Sequence, residues 1–217
     1  MEYTVGQMGG KLKRISTGKQ GLPSHWINMG GAPWMKVFVD RESEEFASVE
    51  RKLRASNPSI QMIIKVERIQ NPPLYEQYQL KKKDVARHMI TKHPVERELF
   101  HGTSEEDANS ICAHGFDRGF AGKHATLYGK GSYFSTDSSF AAQYARPSGH
   151  LYHMFLANVI TGDYCKGNPS LMAPPAKVAS GNANKVYDSV VNDMSSPSIF
   201  VVFKDSSVYP TYLIVFK

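Results

Sequence analysis

Scarcities narrow this sequence before any motif does. Its 217 residues hold two cysteines, Cys112 and Cys165, too few for a disulfide framework or a cysteine-rich zinc site. His114, His124 and His153 stand at no metal-ligand spacing, so no metal is expected. No apolar run reaches the length of a membrane-spanning helix, and no charged-then-apolar signal segment opens the chain. With two thiols read as reduced, the expectation is a cytosolic or nuclear protein with no membrane partner. No internal repeat is visible. A phosphate-cradling loop is also missing. In "YGKGSYFS" (Tyr128 to Ser135) six residues separate Gly122 from Gly129, and Gly131 rather than Ser or Thr follows Lys130. The residues that follow favour a strand, not a helix N-terminus.

What is present describes one domain with ordinary apolar content, 41% of residues, long enough to bury a core. The net charge of +6 could suit nucleic acid. However, the excess gathers in the first twenty residues and in Lys81-Lys82-Lys83, as on a solvated basic surface. Residues 1–30 are rich in Gly and Lys without apolar periodicity and read as a flexible leader. The domain is expected over 31–217.

Along that domain "WMKVFVD" alternates as a strand. Phe46, Val49 and Leu53 then recur at helical spacing, and "IQMIIKVERIQN" is a second strand halted by Pro72 and Pro73, which start a second helix. "ERELFHGT" reads as a third strand. A capping box Thr103-x-x-Glu106 then opens a helix that buries Ala108, Ile111 and Cys112 and ends at Gly115. "SYFS" is a strand, and Asp137 caps a short helix, "SSFAAQYA". From Tyr152 the signal is mostly β: "LYHMFLANVITGDY", "KVYDSVV", "PSIFVVFKD" and "YPTYLIVFK". Helices mixed with strands and a terminal run of strands predict an α+β fold.

The motifs "LFHGT", "YGKGSYF", "TGDY", "APP", "VYDS", "PSIFVVF" and "YPTYLI" occur in that order. In this order the chain, over about residues 34–217, resembles the catalytic domain of the poly(ADP-ribose) polymerase superfamily of ADP-ribosyltransferases. The resemblance implies split, mostly antiparallel sheets flanked by short helices, with NAD+ as co-substrate in a cleft between the His101 and Tyr133 strands. By the same resemblance the Gly102 backbone pairs with the nicotinamide carboxamide, with Thr103 beside it. His101 holds the adenosine-side ribose, Tyr133 lines the nicotinamide ribose, and Tyr144, on the short helix, stacks on the nicotinamide ring. Tyr128 and Arg118 belong to the covering loop. Gly129 and Gly131 let the backbone pass close to a flat ligand.

Two positions depart from the family pattern. Chain-building members carry a glutamate where this sequence has Ile199, and isoleucine can neither accept a proton nor bind a hydroxyl. That implies the mono-ADP-ribosylating branch, near the macrodomain-linked members numbered ten, fourteen and fifteen. Many relatives place a serine at Ala141 to contact the nicotinamide amide, and Ser138 or Ser139 stands close by. The resemblance therefore implies a monomeric enzyme that moves ADP-ribose to acidic side chains of protein acceptors and of itself, and that binds nicotinamide-like inhibitors. A module that binds NAD+ or ADP-ribose without turnover is the alternative class. Modification of nucleic-acid ends is a third, resting on the charge alone.

Overall fold

The computed structural model describes residues 21–117, 126–177 and 185–217. Nine strands form one sheet: β1 (Met35–Phe38), β2 (Ile63–Gln70), β3 (Glu96–Thr103), β4 (Ser132–Ser135), β5 (Tyr152–Ile160), β6 (Tyr164–Lys166), β7 (Ser189–Val191), β8 (Ile199–Val202) and β9 (Val208–Phe216). Their spatial order is β1-β2-β9-β5-β3-β4-β8-β7-β6, antiparallel throughout except for β6 beside β7. The sheet is split in the sense that matters for a site. A five-stranded half ending at β3 meets a four-stranded half beginning at β4 through one residue pair, Phe100 with Ser135. Beyond that pair the strands part, so His101–Thr103 and Ser132–Phe134 face each other across an opening.

Four helices cover the sheet: α1 (Glu44–Ser56), α2 (Pro72–His88), α3 (Glu105–His114) and α4 (Ser138–Ala142). Helix α1 starts where Ser43 Oγ accepts from the Phe46 N–H, and it buries Phe46, Val49 and Leu53 against Met154, Leu156 and Ile214. The opposite face of the sheet takes Ala108, Ile111 and Cys112 of α3 into a core with Leu99, Phe155, Phe200 and Leu213. Asn71 caps α2 by accepting from the Leu74 N–H. Its amide nitrogen donates to the last carbonyls of α3, Cys112 O and Ala113 O, each at 3.1 Å, so one side chain satisfies the ends of two helices.

Three sequence expectations shift. The cap of α3 is Ser104, not Thr103: Ser104 Oγ accepts from the Asp107 N–H at 3.0 Å, while Thr103 is still paired with His153 in the β3–β5 ladder and has no freedom to cap. Helix α4 ends at Ala142, so Tyr144 stands on the turn beyond it. Packing also begins before residue 31. Trp26 is 5% exposed and stacks on Tyr209 at 6.2 Å with Tyr75 tilted against it at 5.3 Å, while Ile27 exchanges two hydrogen bonds with the Gln70 side chain.

The motifs "TGDY" and "VYDS" meet in a buried clasp with Lys177, two residues past "APP". Lys177, 3% exposed, lies 2.9 Å from carboxylate oxygens of both Asp163 and Asp188. Asp163, fully buried, also accepts from the Ile90 and Thr91 N–H groups and from Thr91 Oγ1. Gly162 sits at φ +44°, where a Cβ would lie 2.5 Å from Asp188 Oδ2, so only glycine admits the carboxylate. Burial alone would raise the Asp163 pKa. The hydrogen bonds from Thr91, Lys177 and the two amides outweigh that effect and hold it at about 2, below its ordinary 3.8.

A carboxyl whose folded-state pKa is depressed stabilises the fold above its unfolded pKa and loses that contribution as pH falls through the folded value. Unfolding free energy should therefore drop by about 2 kcal/mol between pH 5 and pH 2 on account of this group. Urea titrations across that range should show the drop, and Asp163→Asn should flatten it. An equal acid slope in the variant would contradict the assignment.

Candidate active site

A cleft of about 360 Å3 opens along the β3–β4 seam. One wall is Phe100 to Ser104, the other Gly131 to Ser135, and Phe140, Ala141 and Tyr144 close one side. Of the residues expected from sequence, His101, Gly102, Thr103, Tyr133, Ala141 and Tyr144 all line it.

His101 bridges the parted strands. Its Nδ1 lies 2.8 Å from the Tyr133 carbonyl oxygen, which requires Nδ1 to carry a proton and leaves Nε2 of a neutral ring as an acceptor. Phe116 meets the imidazole edge-on at 5.1 Å and Phe134 lies tilted at 5.3 Å, so the ring plane is fixed from two sides.

Tyr133 is held at its hydroxyl, which accepts from the Tyr128 N–H at 2.9 Å and donates to the Gly129 carbonyl at 2.8 Å. Burial raises its pKa, so the phenol keeps its proton across the physiological range. Packing within the protein also constrains the two glycines. Gly129 adopts φ +132°, and a Cβ at Gly131 would stand 2.4 Å from the Val202 carbonyl oxygen on β8. Gly102 is similarly constrained. A Cβ there would fall 2.0 Å from the Ala141 carbonyl oxygen, so α4 can press on β3 only if this residue has no side chain. Tyr144, 36% exposed, presents its ring beside Phe140 at 5.4 Å, and Arg146 N–H ties the same turn to the Thr103 carbonyl at 3.2 Å.

Three expected contacts lie elsewhere. Ser138 does not face the cleft. It is fully buried, and its Oγ donates to the Leu53 carbonyl at 2.6 Å while its N–H donates to Ser56 Oγ at 2.8 Å, fastening α4 to α1. Ile199, 8% exposed, packs in an apolar cluster with Val190, Val201 and Phe203, against which Tyr128 and Tyr133 rest. It pairs with Ser135 on the neighbouring strand, on the sheet face that carries Tyr133, and is not itself part of the cleft lining. Tyr128 belongs to that cluster too. Arg118 falls outside the described residues.

Sequence reasoning missed part of the lining: Ser104, Asp107, His114, Phe116 and Asp117 at the two ends of α3, and Arg146 beyond α4. Only Phe116 left a signal, as the aromatic placed directly after a helix-ending glycine at φ +82°. Among the described residues no group of three or more His, Cys, Asp or Glu side chains is arranged to hold a metal ion.

The arrangement is a slot with aromatic rings, peptide edges and one oriented imidazole, suited to gripping a flat ligand and a ribose by position. The family model for the poly(ADP-ribose) polymerase catalytic domain matches residues 43–217. Among curated relatives, protein mono-ADP-ribosyltransferase PARP12 of Mus musculus is 40% identical over 202 residues, covering 92% of this chain and 28% of its own length. Protein mono-ADP-ribosyltransferase PARP14 of Homo sapiens is 37% identical over 210 residues, 95% of this chain and 11% of its own. Protein mono-ADP-ribosyltransferase PARP11 of Mus musculus is 33% identical over 216 residues, 90% of this chain and 64% of its own. The chain thus spans only about a quarter of the length of the PARP12 relatives. With its α+β fold, its split sheet and a match that runs over most of its residues, the chain belongs to the poly(ADP-ribose) polymerase catalytic-domain family.

Proposed function

We propose that this chain transfers single ADP-ribose units from NAD+ to acidic side chains of proteins, itself included, and releases nicotinamide. The observation that carries the reading is the pairing of His101 and Tyr133 across one cleft, with an aliphatic residue, Ile199, in the apolar cluster against which Tyr133 packs. In this reading the nicotinamide ring lies against Tyr144, its carboxamide pairs with the Gly102 peptide edge, and Tyr133 lines the adjacent ribose. His101 receives a hydroxyl of the adenosine-side ribose. Thr103 and Ala141 shape the floor.

The chemistry asks little of acid or base groups. The bond between ribose C1 and the ring nitrogen breaks, both electrons leave with nicotinamide, and the departing ring becomes neutral. The ribose acquires oxocarbenium character and is captured by an acceptor carboxylate, giving an ester. The protein's share is orientation and the exclusion of water. A second transfer onto the attached ADP-ribose would need a group that draws on its hydroxyl proton. Ile199 has no lone pair to do so.

Incubating the protein with adenylate-labelled NAD+ and resolving it on a denaturing gel tests the reading. A sharp labelled band is expected. Binding without any label would instead identify an NAD+-holding module. A nicotinamide mimic such as benzamide should compete with NAD+ and raise the Tm. Tyr144→Ala removes one stacking face, worth about 1 kcal/mol, so benzamide should bind roughly fivefold more weakly by calorimetry. Unchanged affinity would place the ring elsewhere.

A further inference from the structure

We propose a second ligand site, separate from the cleft, that takes a phosphate-class anion. A cavity of about 240 Å3 lies where α2, the Ala176–Val186 bridge and the turn entering β9 meet, and it shares no lining residue with the cleft. Lys81, Lys177, Lys185 and Lys204 converge on it. Its two carboxylates are already committed to cations of the wall. Asp84 binds Lys81 at 2.9 Å and approaches His88 Nδ1 at 3.2 Å, and Asp188 shares Lys177 with Asp163. Lys185 and Lys204 make no ion pair among the described residues.

The backbone that carries these two lysines is fixed. The Lys177 N–H donates to the Lys185 carbonyl at 2.6 Å, the Tyr187 N–H to the Pro175 carbonyl at 3.0 Å, and the Ser207 N–H to the Lys204 carbonyl at 2.9 Å. Tyr187 and Ser207, both hydroxyl-bearing, belong to the same lining. Two ammonium groups and two hydroxyl-bearing residues brought by separate segments to one concavity suit a compact anion with several oxygens, and a concave wall strengthens their combined field. The cavity is too small for a dinucleotide. A phosphoryl group bound there would tie α2 to the segment that carries the Asp163–Lys177–Asp188 clasp.

The group could arrive as free phosphate or on a phosphorylated peptide, and titration separates these. The whole chain, in chloride at fixed ionic strength, is titrated with inorganic phosphate and, separately, with a short phosphoserine peptide, followed by calorimetry and Tm. We expect saturable binding of one anion per chain, weakened roughly tenfold in the K185Q/K204Q variant. Tighter binding of the peptide identifies a phosphorylated protein as the source, and equal affinity identifies the free anion. Neither lysine belongs to the clasp, so the variant should keep the wild-type Tm in chloride. If it does not, the single variants K185Q and K204Q, each expected to lose about threefold, carry the test. Binding that fails to saturate, or that is unchanged in these variants, would overturn the proposal.

Discussion

Replacing His101 by alanine is expected to lower ADP-ribose transfer on the order of 100-fold or more while the protein stays folded. The side chain lies on the cleft lining rather than in the apolar core, and its Nδ1 contact with the Tyr133 carbonyl orients the ring. Alanine removes the acceptor proposed for the substrate ribose, and with it the bridge between the two parted strands. The stability cost should be modest, because the side chain is only partly buried and its contacts include one hydrogen bond to a backbone carbonyl and ring contacts with Phe116 and Phe134. Label transfer measured beside Tm separates the two effects. Native-rate transfer by the variant would show that the reacting groups lie somewhere else.

Gly102→Ala is the second large effect, and it works through packing. The added methyl group would stand 2.0 Å from the Ala141 carbonyl oxygen and 2.9 Å from the Ala145 nitrogen. Both are backbone atoms and cannot rotate aside. Helix α4 must therefore lift from β3, carrying Ala141 and Tyr144 with it. Overpacking of this kind costs roughly 1–3 kcal/mol, or roughly 2–10 °C in Tm for a domain of this size. Benzamide affinity should fall in the same variant because the stacking ring has moved. A glycine needed only for its peptide edge toward the ligand would predict lost affinity at an unchanged Tm, and that result would contradict the packing account.

What could be read beforehand follows from which forces act locally. Helix α1 announced itself through the spacing of Phe46, Val49 and Leu53, α2 through Pro72 and Pro73, and the strands through their aliphatic runs. The walls of the cleft were legible through the family resemblance, which the short motifs "HGT" and "YGKGSYF" carry. The rest depends on contacts between distant segments. Nothing local distinguishes Thr103 from Ser104 as a cap. The choice falls to Ser104 because Thr103 is held by His153, fifty residues away. Ser138 looked polar and near the ligand, yet α1 supplies the acceptor that turns it inward. The clasp joins Asp163 of "TGDY" and Asp188 of "VYDS" through Lys177, a link that no spacing reveals. Trp26 sat in a Gly-containing leader without periodicity, and only the aromatic surface of α2 and β9 gives it a seat.

The most direct test of the central claim is the length of the product. Isoleucine at position 199 joins Val190, Val201 and Phe203 in the apolar cluster against which Tyr133 packs, with no carboxylate to draw a proton from the hydroxyl of an attached ADP-ribose. Mass spectrometry of peptides from wild-type protein incubated with NAD+ should find one ADP-ribose per modified site at all reaction times. Two or more linked units on one site would contradict the account.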